Sequence, residues 1–225
     1  MPRRTSAHYV LQASSLALPR DLTKTYLYHI TDISNLPSIL VSGGLLSDCA
    51  LAGVAHQVIG YPNIKQRRMT QYRVPCCGNR FVGEFVPFYF CPRSPMLYTV
   101  NRGNTGRQPG CQTSIVHLVT TVSVAVKQGR PFAISDGNAA AAYTSFRNDL
   151  ASLDDPTHLR WADINTNQWQ GKMHFKQAEF LVADWFDWSA IVFIGCHNST
   201  AAAQVAHLLP QHGGPNVGVQ PDWYY

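Results

Sequence analysis

Residues 85–97 read Phe85-Val-Pro-Phe-Tyr-Phe90-Cys-Pro-Arg-Ser-Pro-Met-Leu97, and the first half of this stretch sets the fold class. Phe85 to Phe90 is almost wholly aromatic and β-branched, the composition of a strand. Pro87 lacks an N–H and so marks an edge or a bulge. Upstream, Tyr26-Leu-Tyr-His-Ile-Thr31 alternates in the same style and reads as a second strand. Asp32-Ile-Ser-Asn then opens a short helix over 35–40, with Pro37 in its first turn and Gly43-Gly44 as its stop. Downstream, strands are expected at 114–119, 132–135, 179–182, 191–194 and 217–225. Helices are expected at 139–150 and 200–209. Residues 48–80 are poor in apolar side chains and read as a long irregular connection, and 101–112 as a glycine-rich loop. Strands dominate the middle and helices interrupt them irregularly. That pattern indicates an α+β fold rather than a regular βαβ array.

The chain has 225 residues, of which 45% are hydrophobic and only 14% charged, which excludes an extended disordered protein. A chain of this length buries a sufficient core as a single domain spanning 1–225, with a loose polar lead-in over 1–24. No window approaches the roughly 20 apolar residues of a membrane span. Met1-Pro2-Arg3-Arg4 is not followed by a compact apolar stretch, so no signal peptide is expected. Six cysteines stand at 49, 76, 77, 91, 111 and 196 without a Cys-x-x-Cys pair. Adjacent Cys76 and Cys77 suit neither a mutual bridge nor a tetrahedral zinc site. Free thiols, a reducing cytoplasmic location, no metal and a monomer without membrane contact are the expectations.

The charge is unevenly distributed. Between 65 and 107 lie Lys65, Arg67, Arg68, Arg73, Arg80, Arg93, Arg102 and Arg107, against Glu84 alone. This is 8 of the 18 cations in 43 residues, within a net charge of +5. Arginine's planar fork suits phosphate, and interleaved aromatics such as Tyr72 and Phe81 offer faces for bases. A solvated surface loop would also gather charge. The composition nonetheless favours a polyanionic ligand, either a dinucleotide or a nucleic-acid strand.

No Rossmann fingerprint, phosphate-binding Gly-x-x-x-x-Gly-Lys or Gly-x-Ser-x-Gly elbow is present. Two constellations remain. His29 and Thr31 share one face of the first strand, and together could hold a ribose or an adenine edge. His29 alone equally suits a buried histidine bonded to backbone. Glu179 stands at the mouth of an apolar strand, where a carboxylate could stabilise a developing oxocarbenium ion. Pairing with Lys176 at the surface is its plain alternative.

In order along the chain, Tyr28-His-Ile-Thr31, Asn35-Leu-Pro-Ser-Ile-Leu40, Val86-Pro-Phe-Tyr-Phe90 with Pro92-Arg-Ser-Pro-Met-Leu97, Asp136-Gly137 and Gln177-Ala-Glu-Phe-Leu181 resemble DarT, the DNA ADP-ribosyltransferase toxin family. The resemblance spans about residues 26 to 195. It implies the ADP-ribosyltransferase fold, split central β-sheets around an NAD cleft with flanking helices. It also implies a toxin that transfers ADP-ribose from NAD to a base in sequence-selected single-stranded DNA, thymidine ahead of guanine. A macrodomain antitoxin would reverse the modification. The alternatives are a relative acting on RNA or protein, and an inactive NAD-binding nucleic-acid module.

Carried over by position, Glu179 matches the family's catalytic glutamate. His29, Thr31 and Tyr89 match NAD contacts, with Tyr89 as the nicotinamide stacking partner. The family's catalytic arginine falls on Arg68 or Arg67, with spacing from Pro62 favouring Arg68, which would also touch NAD. Segment 48–80 becomes the candidate substrate loop, and Arg73, Arg80, Tyr72 and Asn138 the candidate DNA contacts. Family members carry Asp-Gly-His where this chain has Asp136-Gly137-Asn138. An amide keeps a hydrogen bond there but cannot do proton chemistry.

Overall fold

Strand pairing around residues 85–89 organises the computed structural model, which describes residues 19–211 and 213–225. The strands are β1 (Tyr26–Asp32), β2 (Gly44–Leu46), β3 (Arg73–Val74), β4 (Arg80–Phe81), β5 (Phe85–Tyr89) and β6 (Ile115–Thr121). They continue with β7 (Phe132–Ser135), β8 (Phe146–Arg147), β9 (Glu179–Ala183), β10 (Trp185–Asp187), β11 (Phe193–Cys196) and β12 (Asn216–Val219). The main sheet has eight strands in the order β12-β11-β6-β1-β5-β9-β7-β8, and β2 with β10 and β3 with β4 form small ribbons. Helices α1 (Leu36–Val41), α2 (Pro62–Thr70), α3 (Pro95–Asn101), α4 (Val122–Lys127), α5 (Trp161–Asn165), α6 (Met173–Lys176) and α7 (Ser199–Leu208) lie between them.

Pro87 decides where this sheet comes apart. β1 runs along β6 from Tyr26 opposite Thr121 to Asp32 opposite Ile115, but meets β5 only at Tyr28 opposite Tyr89. β5 instead runs along β9, from Phe85 opposite Ala183 to Tyr89 opposite Glu179. Pro87 has no N–H to offer β1, so the two strands part beside it. Its carbonyl is taken by the His29 ring, 2.9 Å from Nδ1. The sheet is therefore two four-stranded halves joined at one seam. The fold class expected from the sequence is the one observed, and the proline marks an internal seam rather than an outer edge.

The core lies against both halves. Phe88 packs on Phe186 with centroids 4.7 Å apart, and Phe132 stacks on Phe180 at 5.1 Å. Phe88, Phe180 and Phe186 are fully buried, and each contributes roughly 1.5–3 kcal/mol relative to an exposed one. The first helix forms as its residues dictate. Asp32 accepts from the Ser34 amide, Pro37 sits in the first turn, and Gly43 leaves in the left-handed region at φ +70°. All six cysteines are free, with Cys91 and Cys196 buried.

Several expectations are corrected. Residues 139–150 form turns and β8 rather than a helix, despite the alanine run. Asn138 explains this, because its Oδ1 accepts from the Ala140 amide at 2.9 Å and its carbonyl accepts from Ala141 at 3.0 Å. The Ala139 amide is consumed by Glu179, so local polar closure overrides alanine's helix propensity. Segment 48–80 is irregular only in its first part: 48–61 hold no helix or strand, whereas α2, β3 and the start of β4 lie in the rest. The strand expected over 217–225 ends at Val219, and an aromatic turn follows. The part of the 1–24 lead-in up to residue 18 lies outside the described residues.

Candidate active site

The seam beside Pro87 opens into a cavity of about 250 Å³. β1 supplies His29 and Thr31 to its wall, β5 supplies Tyr89, β9 supplies Glu179, and α2 supplies Lys65 and Arg68. Segment 56–61 closes the remaining side and is fixed there by Asn35. The Asn35 amide donates to the Gln57 carbonyl at 2.9 Å and to Thr31 Oγ1 at 3.0 Å, and its oxygen accepts from the Gln57 N–H at 2.6 Å.

Glu179 is the most constrained group in this cleft. Arg68 grips it with both arms, Nη1 to Oε1 at 3.2 Å and Nη2 to Oε2 at 2.9 Å. The Ala139 N–H adds a bond to Oε1 at 3.1 Å. Side-chain exposure is 12% for Arg68 and 2% for Glu179, so the pair is largely desolvated. Burial works against the Arg68 charge, but the adjacent Glu179 carboxylate outweighs it and holds the guanidinium above its ordinary pKa. Arg68 therefore stays cationic and cannot act as a base. A carboxylate offers about four lone-pair sites. Two bonds occupy Oε1 and one occupies Oε2, which leaves Oε2 able to accept from a ligand hydroxyl.

The neighbours are set by the same strands. Tyr89 stands directly opposite Glu179 across β5 and β9. Burial, and then the Glu179 charge, push its phenol well above the usual value, so it remains a neutral hydroxyl and a ring face. His29 donates from Nδ1 to the Pro87 carbonyl, and burial pushes its pKa below the ordinary range. A carbonyl only accepts, so the proton sits on Nδ1 and Nε2 is the acceptor. His29 is thus both the backbone-bonded histidine and a cleft-lining residue. Lys176 does not pair with Glu179. It is buried, bonded to the Ile164 carbonyl at 2.9 Å and 3.7 Å from Cys91 Sγ.

The two candidate arginines are separated by the helix that carries them. Arg68 reaches the cleft, whereas Arg67 points outward, bonded to Gln71 Oε1 at 3.0 Å and to the Tyr72 hydroxyl. Tyr72 and Arg73 lie on the outer side, with Arg73 stacked over Phe81 at 3.8 Å. Arg80 is held by Glu84 at 2.8 Å and by Asp184, so its charge is already shared by two carboxylates. Asn138 does line the cleft, beside Gln177, to whose Oε1 it donates at 3.2 Å.

The cationic stretch is correspondingly less bare than its sequence indicates. Lys65 pairs with Asp48, Arg68 with Glu179, Arg80 with Glu84 and Asp184, and Arg107 with Asp32. Most of these acids lie outside 65–107, so counting charge along the chain could not find them. Among the described residues, Arg67, Arg73, Arg93 and Arg102 have no carboxylate partner, and each lies over an aromatic ring. The sequence reading also missed Asn35, Asp48, His56 and Lys65 as cleft residues: Asp48 and His56 lie in irregular backbone, Asn35 caps α1, and Lys65 sits on a helix with no buried face.

Comparison with known proteins places this arrangement. A family model described as "ssDNA thymidine ADP-ribosyltransferase, DarT" matches residues 28–225. A DNA ADP-ribosyl transferase of Thermus aquaticus is 38% identical over 204 residues, 89% of each chain. The structure of Thermus sp. 2.9 DarT in complex with ADP-ribosylated ssDNA superposes with a TM-score of 0.83 at 35% identity, covering 89% of this chain and 96% of that one. The same protein in complex with NAD+ gives 0.78 at 33%, covering 89% and 98%. A DNA ADP-ribosyl transferase-DNA ADP-ribosyl glycohydrolase fusion protein of Thermosipho africanus is 32% identical over 52% of this chain and 28% of its own length. The seam cleft, its buried carboxylate and the arginine that grips it are thus those of a chain that belongs to the DarT family of single-stranded-DNA thymidine ADP-ribosyltransferases.

Proposed function

We propose that this protein transfers ADP-ribose from NAD to a thymine base of single-stranded DNA. The buried Glu179, gripped by Arg68 at the inner wall of the seam cleft, carries this reading. Transfer breaks the bond between nicotinamide and ribose, and positive charge spreads over the ribose ring as that bond lengthens. A desolvated carboxylate held by three hydrogen bonds is preorganised to stabilise that charge, and such stabilisation is worth far more here than in water. The remaining acceptor position on Oε2 suits a ribose hydroxyl. Arg68 is a positioning residue that fixes the carboxylate's plane. His29, Thr31 and Tyr89 bind the dinucleotide, with the Tyr89 ring as the stacking face for nicotinamide.

The acceptor strand is assigned to the side of the cleft that carries Asn138 and the outer face of α2. Asn138 presents an amide beside Glu179, and Arg67, Tyr72 and Arg73 offer cation-and-ring surfaces for flanking nucleotides. Arg80 shares its charge with two carboxylates, which makes it a weaker phosphate partner than the unpaired arginines. The protein acts in the cytoplasm as a monomeric toxin, and a macrodomain glycohydrolase removes the adduct. The fused transferase and glycohydrolase of the Thermosipho relative support that pairing. Among the described residues no helix is long and apolar enough to cross a membrane.

Incubation with labelled NAD and a panel of single-stranded DNA, RNA and protein acceptors tests the proposal. Label should reach thymine-containing DNA and be abolished by Glu179→Gln. Label confined to RNA or protein, or NAD consumed without any acceptor, refutes it. Expression should be toxic, and coexpression of a macrodomain glycohydrolase should relieve that toxicity.

A further inference from the structure

Lys65 lies three residues before Arg68 on α2, so both project from one helical face, about 4.5 Å apart along the axis. Unlike Arg68, it does not reach Glu179. Its Nζ stands 2.8 Å from His56 Nε2 and 3.1 Å from Asp48 Oδ1. His56 Nδ1 is 2.8 Å from the Val54 carbonyl, which only accepts, so Nδ1 holds the proton and Nε2 accepts from Lys65. An ammonium has three N–H donors, so one remains after His56 and Asp48 are served. Lys65, Asp48 and His56 all line the cleft, and the Lys65 side chain is 22% exposed there.

A charge inventory gives this leftover donor its meaning. The lysine and arginine lining the cleft are Lys65 and Arg68, and Arg68 is committed to a bidentate ion pair with Glu179. A dinucleotide brings two phosphate charges into the same space, and Lys65 is the lining cation that is not committed to Glu179 and keeps a donor free. As an isolated salt bridge at this exposure, Lys65 with Asp48 would contribute little to stability. As a lysine aimed by two partners, it is a preorganised point charge for phosphate.

We propose that Lys65 anchors the diphosphate of the dinucleotide, with His56 and Asp48 as positioning residues that hold its ammonium toward the cleft; the proposal rests on the reading of this cleft as an NAD site. Because Lys65 stands apart from Glu179, it governs binding rather than the bond-breaking step. The test combines titration calorimetry with ADP-ribose and steady-state kinetics with NAD. Lys65→Met should raise the Kd for ADP-ribose and the KM for NAD by about 10- to 100-fold, the range of a charge-assisted hydrogen bond. Its kcat should stay within about threefold of wild type. Lys65→Gln, which keeps an N–H for His56 but loses the charge, should rank the same way. It decides the matter if Lys65→Met does not fold. His56→Gln restores an acceptor for Lys65 and should stay near wild type, while His56→Leu should raise the same Kd. Unchanged ADP-ribose affinity in both Lys65 variants, or a fall in kcat at constant KM, overturns the Lys65 assignment. Wild-type protein that binds neither ADP-ribose nor NAD overturns the NAD reading itself.

Discussion

Replacing Arg68 and Arg67 separately tests the internal logic of the site, because the two are adjacent in sequence and unlike in the fold. Arg68→Ala leaves the Glu179 carboxylate 2% exposed with one remaining bond, from the Ala139 amide. Stranding one member of a buried ion pair costs about 3–5 kcal/mol. Each kcal/mol shifts the melting temperature of a chain this size by about 2–4 °C, so a fall of roughly 6–20 °C is expected. Arg67→Ala removes a cation–π contact at 5.0 Å and exposed hydrogen bonds. That contact is worth about 0.5–1 kcal/mol, equivalent to roughly 1–4 °C. The double variant Arg68→Ala with Glu179→Ala should melt above Arg68→Ala alone, since no charge is then stranded. Scanning calorimetry reads all three, and transfer of label to oligonucleotide reads their activity. Arg68→Ala should lose about 100-fold or more in rate, comparable to removal of a transition-state electrostatic partner, and Arg67→Ala only a few-fold. If Arg68→Ala melts with wild type, or Arg67→Ala is the more damaging variant, the assignment is wrong.

His117 sets a pH dependence of stability. Burial pushes its pKa down from 6.5 to about 4, against a hydrogen bond to the Pro92 carbonyl. The unfolded chain therefore binds the proton first, so this contribution is present above pH 6.5 and lost as pH falls toward about 4. About 2 kcal/mol should disappear between pH 7.5 and 5.0 in urea unfolding, and His117→Gln should remove that part of the slope. Gly137→Ala probes the loop that carries the Ala139 amide. A Cβ there would lie 2.2 Å from His174 Nε2, so the ring or the loop must shift. A destabilisation of about 1–3 kcal/mol is expected, with a lower kcat as Glu179 loses its amide, measured by melting and single-turnover transfer.

What the sequence disclosed follows from how each element is held. β1, β5, β6, β7, β9 and β11 were legible because burial forces aromatic and β-branched runs, and Pro87 and Gly43 announce their own backbone constraints. α2 was not legible, because none of its residues is buried and its anchors are the Arg68 ion pair and the close passage of Met69 over Gly83. Its one local signal was Pro62 at the first helical position. The alanines of 139–142 misled for the opposite reason, since a strong local propensity met a stronger tertiary demand from Glu179. Within the site, Glu179, Arg68, His29, Thr31 and Tyr89 were found by likeness to a family, and the cleft brings all of them together. The pairing of Arg80 was hidden because its partner Asp184 is distant in sequence, and Lys65 was passed over as one cation among eight. Long-range ion pairs leave no trace in composition.

The central claim is tested most directly by mass spectrometry of a thymine-containing single-stranded oligonucleotide incubated with NAD and the protein. A gain of one ADP-ribose, located by fragmentation on a thymine base and absent with Glu179→Gln, is the predicted result. NAD turnover without a DNA adduct, or an adduct that persists undiminished with Glu179→Gln, would contradict it.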